Sequence, residues 1–254
     1  MTLRGAVETV ATSNADDAAF LALEDVARIT EGLDDVRIVG GHMASLLLTA
    51  FPVAGAAIRR TADADAAIST SIAASGQIHQ ALINAGYVDT SGNHYVKGQL
   101  EIDLLVPSTT SEFVRKEHGG RGFDAAPGLM SAFAVEPIVL DVGVILTDGT
   151  RREFAIRVPT VEFAVTLKAY ATTSRSVPKD LADLYNLLSI ASAYNEDEIG
   201  SWKLNGDLWG TRLDTGRILH HIADRAQTSA LIRDAGIPQE RLVALIRNLV
   251  TDPR

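Results

Sequence analysis

Residues 59–68, RRTADADAAI, set two arginines and then two aspartates, Asp63 and Asp65, one residue apart in an otherwise alanine-rich run. Successive side chains of a β-strand point to opposite faces, so residues two apart share one, and on a strand both carboxylates project to one point in space. Like charges held that close repel. Two local solutions exist. One is a turn in which each carboxylate is merely solvated. The other is a divalent cation, which prefers oxygen ligands and whose charge removes the repulsion. The surroundings of the pair have to decide between them.

Ahead of the pair, VRIVGG (36–41) is a short β-branched run stopped by two glycines, and HMASLLLTAF (42–51) reads as the mostly apolar helix they lead into. The pattern predicts strand, Gly-Gly, helix. After Pro52 and a small-residue loop, RRTADADAAI is expected on, or just at the end of, a second strand. Residues 15–32 place Phe20, Leu23, Val26, Ala27 and Ile29 at roughly helical spacing, with Asn14 as the N-cap and Gly32 at the end. Residues 70–86, with Ile72, Ile78, Leu82 and Ala85 on one side and a terminal Gly86, predict another helix.

HYVKGQLEIDLLVP (94–107) alternates Leu100, Ile102 and Leu104 with Glu101, Asp103 and Leu105, and Pro107 closes it. It is expected to be a strand, and it delivers a third carboxylate, Asp103. Residues 108–130 are turn-rich and read as a flexible loop bearing Arg115, Lys116, His118 and Arg121. A hairpin turning on Asp148-Gly149 is expected over 137–159, followed by helices over 161–175 and 179–194 and a helical tail with short loops. No internal repeat is present in the sequence.

Composition excludes several classes of protein. The 254 residues are 46% hydrophobic, ample for a core. A net charge of −9 argues against a whole-surface nucleic-acid binder and leaves room only for a local basic patch. Without cysteine there is neither disulfide nor thiolate chemistry, which fits a reducing compartment. The N-terminal residues lack an apolar signal region, and no apolar run approaches the ~20 residues of a membrane span. The expectation is a cytoplasmic protein with no membrane contact. The six histidines form no metal set: His220 and His221 are adjacent and point in different directions on a helix. His42, after the glycines, either touches substrate or is partly buried at a helix start. Trp202 and Trp209 are expected to pack the tail. There is no phosphate-binding Walker loop, nucleophile elbow, zincin motif or dinucleotide fingerprint.

Over roughly residues 30–190, three pieces carry a resemblance: VGGHMASLLL (39–48), RRTADAD (59–65) and LKAYATTSRSVPKDLADLYNLL (167–188). Their order resembles the nucleotidyltransferase superfold of polymerase beta. More narrowly, it resembles the AbiEii/MenT-type nucleotidyltransferase toxins of bacterial toxin–antitoxin systems, with their Gly-Gly followed by Arg-x-Thr/Ser-x-Asp-x-Asp. The third piece is similar to that family's Lys-x-x-Ala…Arg…Lys-Asp-x-x-Asp-Leu helix pair. The tail is unmatched. The resemblance implies an α/β (α+β) fold, with a mixed sheet flanked by helices over residues 1–160 and a helical region over 161–254.

It also implies an activity, the transfer of a nucleotidyl group from a nucleoside triphosphate to tRNA 3′ ends with Mg²⁺, and neutralisation by a cognate antitoxin protein or by modification. Asp63 and Asp65 would hold metal, and Asp103 would help hold it or act as base. Gly40 and Gly41 would bring backbone N–H groups to the triphosphate, joined by Arg60, Thr61 and Lys168. Asp183, fifteen residues after Lys168, fits the fourth-motif aspartate better than Asp180, which also reads as a first-turn acid favoured by the helix dipole. Two departures stand out. Asp63 follows Gly41 by 22 positions, longer than many members of the superfold, and Ala64, Ala66 and Ala67 replace bulkier residues.

Blander readings stay open at this level. Asp103 also reads as an exposed strand residue with Glu101 an equal claimant, and Lys168 as a surface lysine. Arg115, Lys116, Arg121, Arg151, Arg152 and Arg157 read either as an RNA path or as scattered surface charge. The whole chain also fits a small-molecule (antibiotic-type) nucleotidyltransferase or a catalytically silent interaction module.

Overall fold

The computed structural model describes residues 2–91, 93–175 and 177–253, and its elements alternate between strand and helix before giving way to helices. Strand β1 (Leu3–Val10) comes first, where the sequence offered no strand signal. Helix α1 (Asn14–Ile29) follows and buries Phe20, Leu23 and Val26 as its spacing predicts. Its cap is Ser13 rather than Asn14: the Ser13 hydroxyl accepts the Asp16 N–H. Then β2 (Val36–Ile38) runs through the glycines into α2 (Gly40–Ala50), and a long link leads to β3 (Ala64–Ile68).

The single helix expected over 70–86 is two, α3 (Thr70–Ser75) and α4 (Gln77–Asn84), because Gly76 adopts φ +70° and ends the first. The strand expected over 94–107 is likewise broken. After β4 (Val88–Asp89), β5 (His94–Lys97) turns at Gly98, φ +63°, and returns antiparallel as β6 (Leu100–Pro107). Residues 108–130 are not simply a loop. They hold a hairpin of β7 (Val114–His118) and β8 (Arg121–Ala126), turning on Gly119 and Gly120, both left-handed, and then α5 (Leu129–Phe133). The expected hairpin is β9 (Ile138–Ile145) and β10 (Arg151–Val158). Helices α6 (Val161–Ser174), α7 (Pro178–Ala193), α8 (Glu196–Ile199), α9 (Thr211–Asp224), α10 (Ala230–Asp234) and α11 (Gln239–Leu249) complete the chain.

Two mixed sheets result, so the fold is α+β with a helical C-terminal portion. In the smaller, β9 pairs in parallel with β1 and antiparallel with β10. The larger places β3 between β2 and β6, antiparallel to the first and parallel to the second. On its other edge β6 is shared: its first half pairs with β5, which pairs in turn with β4, and its last residues pair with β8, which carries β7. The register sets Asp65 directly opposite Asp103, and Asp103 directly opposite His94 on its other side.

Alternation assigns the faces. Ala64, Ala66 and Ile68 of β3 and Ile102, Leu104 and Val106 of β6 are fully buried, with α1 packed against both strands. Asp65, Asp103 and Leu105 are left facing the other way. Helices α6 and α7 pack on each other and on α2. The hydrophobic core runs without a break past residue 160, with Val158 and Val161 both fully buried. Trp202 packs in the tail, its indole N–H donating to the Leu249 carbonyl at 2.7 Å. Trp209, expected beside it, is 72% exposed instead. Among the described residues no helix is long and apolar enough to cross a membrane.

Candidate active site

The residues facing away from α1 open onto a cleft of about 490 Å³, walled by the Gly40–Gly41 turn, residues 59–65, β6, the β7–β8 hairpin and helices α6 and α7. The turn is tied to the acids by a backbone bond: the Val39 N–H donates to the Asp65 carbonyl at 2.9 Å. At Gly40 φ is +67°, and a β-carbon there would run into the Asp65 carboxylate. A β-carbon on Gly41 would lie 2.8 Å from the Arg59 guanidinium and 3.0 Å from Cβ of Thr61. Protein neighbours therefore already require glycine at 40 and crowd position 41, a reason beyond the triphosphate approach expected from the sequence.

Asp63, Asp65 and Asp103 come together. One carboxylate oxygen from each lies within 4.8 Å of the others. Their environments differ. Burial, then the charges of Asp63 and Asp103, push the Asp65 carboxyl up to about 7, against the pull of Lys168 and Arg175. Burial also raises Asp103, opposed by His94, whose Nδ1 is hydrogen-bonded to it at 2.8 Å. Burial works against the charge of Asp63 too. There the Thr61 hydroxyl, donating at 2.7 Å, a backbone N–H and Lys179 outweigh it and hold the carboxyl below its ordinary value. Three crowded oxygen donors with too little positive charge among them are a donor set that suits a hard divalent ion such as Mg²⁺. Glu101, the rival claimant on that strand face, is exposed and not part of the cleft wall.

The positive charge stands across the cleft. Lys168 is buried between Asp180, at 3.2 Å, and Asp183, at 2.6 Å. Each of these acids takes a second cation: Arg175 pairs with Asp180 at 2.8 Å and Arg59 with Asp183 at 2.9 Å. Lys168, Arg175, Arg59 and Lys179 all reach the cleft wall, whereas neither acid does. Asp183, expected among the catalytic residues, is therefore a positioning residue that fixes Lys168 and Arg59. Asp180 does the same for Lys168 and Arg175, so the preference for one over the other dissolves. Lys179 makes no salt bridge among the described residues.

Arg60 is not in the site. It reaches the Val10 carbonyl at 3.0 Å, lies over the Phe20 ring and stands 3.8 Å from Asp16. Its neighbour Arg59 faces the cleft, and Arg59 is the residue that stands at the first position of the Arg-x-Thr pattern. Thr61 lines the cleft through its bond to Asp63. His42 is buried beside Phe20, and burial lowers it to about 4, so it is neutral at pH 7. Sequence reasoning missed Arg59, Arg175, Lys179 and His94, and with them Asn93, Phe113 and Asp124 on the far wall, where Arg115, which the sequence left as either RNA path or surface charge, also stands. The first three were legible inside the quoted motifs. The others depend on strand register. Searches against protein-family models and against curated proteins each return no match to this chain.

Proposed function

We propose that this cleft transfers a nucleotidyl group from a nucleoside triphosphate to a hydroxyl acceptor, with the 3′ end of tRNA as acceptor, and that the protein is a toxin held in check by a cognate antitoxin in the cytoplasm. The observation that carries the chemistry is the placement of Asp63, Asp65 and Asp103 across one cleft from Lys168, Arg175, Arg59 and Lys179. The biological role rests on the resemblance of three sequence motifs. Bound Mg²⁺, held by the three aspartates, would supply positive charge at the reacting phosphate and the entering and leaving oxygens.

The protein's own groups do the rest. Lys168, Arg175 and Lys179 meet the charge of the triphosphate, and pairing with Asp180 and Asp183 keeps Lys168 from swinging away. Arg59 closes the same side over Gly41. Asp103, oriented by His94, accepts the proton of the attacking hydroxyl. The acceptor oxygen bonds to the α-phosphorus as the bond to the bridging oxygen breaks, and pyrophosphate leaves toward the cations.

The test supplies Mg²⁺, each α-labelled triphosphate in turn and total tRNA to the purified protein. Label is expected at the tRNA 3′ end, and Asp65→Ala is expected to cost some two to three orders of magnitude in rate, about the loss seen when comparable charge stabilisation is removed. Label on a small-molecule acceptor and on no RNA would replace tRNA with an antibiotic-type substrate. No label and no metal binding would leave an interaction module.

A further inference from the structure

We infer that the β7–β8 hairpin is the acceptor platform of this cleft, with Phe113 stacking the terminal base of a single-stranded RNA and Arg115 holding its phosphate. The inference rests on the nucleotidyl-transfer reading and adds where the acceptor lies. Strand order carries it. The acids stand on or beside β3 and on β6. The glycine turn follows β2 on one side, and β8 and then β7 lie on the other. Attacking and leaving oxygens lie on opposite sides of the phosphorus in an in-line displacement. A leaving group over the glycine turn and the cations therefore places the incoming hydroxyl on the hairpin side.

Register shows what that side offers. Leu105 of β6 is opposite Asp124 of β8, and Asp124 is opposite Arg115 of β7, so all three share the face that carries Asp103. Phe113, two residues from Arg115, lines the cleft with them and is 38% exposed. Two strand spacings, about 10 Å, separate β6 from β7. Arg115 makes no hydrogen bond or salt bridge among the described residues. Gly122 seats it: a β-carbon there would stand 2.7 Å from its Nε and 3.1 Å from its Nη2. An exposed ring beside a free guanidinium is the pairing that binds single-stranded nucleic acid without reading its sequence. In a chain of net charge −9 such contact has to be local.

The test compares two affinities in each variant: a fluorescein-labelled single-stranded RNA hexamer by anisotropy, and Mg²⁺ with a non-hydrolysable nucleoside triphosphate by calorimetry. Phe113→Ala should weaken the hexamer about tenfold or more, Phe113→Trp should restore it, and Arg115→Ala should weaken it and flatten its salt dependence. Nucleotide affinity should stay within about twofold in all three, with thermal melts confirming the fold. Loss of nucleotide binding with hexamer binding intact would overturn the inference and make Phe113 the seat of the incoming base. Two unchanged affinities would overturn it as well. Failure of the wild type to bind nucleotide would overturn the transfer reading and the acceptor role with it, and hexamer binding that depends on Phe113 would then mark the hairpin as an RNA-binding surface without transfer.

Discussion

A β-carbon on Gly40 would stand 1.8 Å from Oδ2 of Asp65. The turn and the acid are fitted to each other, and the fit explains why the glycine pair and the Asp-x-Asp pair occur together. Gly40→Ala must displace Asp65 and also strain a left-handed backbone, so it should cost about 1–3 kcal/mol of stability and most of the metal affinity. Gly41→Ala meets the flexible end of Arg59 and should be milder. Thermal melts and Mn²⁺ binding by electron paramagnetic resonance check both. Equal metal affinity in Gly40→Ala and wild type would contradict the fit.

The raised Asp65 carboxyl makes the metal-free protein sensitive to pH. Between its ordinary value of 3.8 and about 7, the folded protein keeps a proton that the unfolded chain releases. Stability should therefore fall as pH rises through that window. Asp65→Asn removes this dependence and should melt higher than wild type at pH 8 without metal, while losing function. Metal binding should release a proton near pH 7, so affinity rises with pH. A melting temperature for the metal-free wild type that climbs from pH 5 to pH 8 would count against this account.

Lys168 is clamped twice, and the two clamps should not add. Asp180→Asn or Asp183→Asn alone leaves the lysine one partner, and each should raise the nucleotide KM more than it lowers kcat. The double variant leaves a buried cation unpaired and should cost about 3–5 kcal/mol, more than the two single losses together. Urea unfolding of the four proteins measures the coupling, and strict additivity would show that the acids act independently.

Adjacent arginines should separate by function. Arg59→Ala should weaken nucleotide binding, because it opens the cleft over Gly41 and leaves Asp183 with Lys168 as its one cation. Arg60→Ala should leave nucleotide binding intact and loosen only its contacts with the end of β1 and the start of α1. Calorimetry on both variants decides, and the reverse pattern would put Arg60 back at the site.

Those two arginines also mark where the sequence stops being legible. Neighbours on an extended segment point in opposite directions, and nothing in RRTADAD except a family pattern says which points inward. The Asp63–Asp65 pair was readable because same-face spacing is a local rule; Leu100, Ile102 and Leu104 fixed the phase of Asp103, but only the family resemblance favoured it over Glu101 on the same face. His94 was not readable, since its place beside Asp103 depends on a turn at Gly98 inside what reads as one strand. The β7–β8 hairpin was hidden for a different reason: Arg115, Lys116, Glu117 and His118 have little strand preference, and pairing with β8, itself anchored on β6, supplies what they lack. Among the described residues the β1 strand is paired only with β9, far along the chain, and no local pattern announces that.

The proposed chemistry requires that Asp63, Asp65 and Asp103 jointly hold a divalent ion against a bound triphosphate. Calorimetric titration of Mn²⁺ into the protein with a non-hydrolysable nucleoside triphosphate present tests it most directly, on the wild type and on the Asp63→Ala, Asp65→Ala double variant. Saturable binding is expected of the wild type, and none of a double variant that remains folded by circular dichroism. Equal binding by the two proteins, or none by the wild type, would contradict the proposed chemistry.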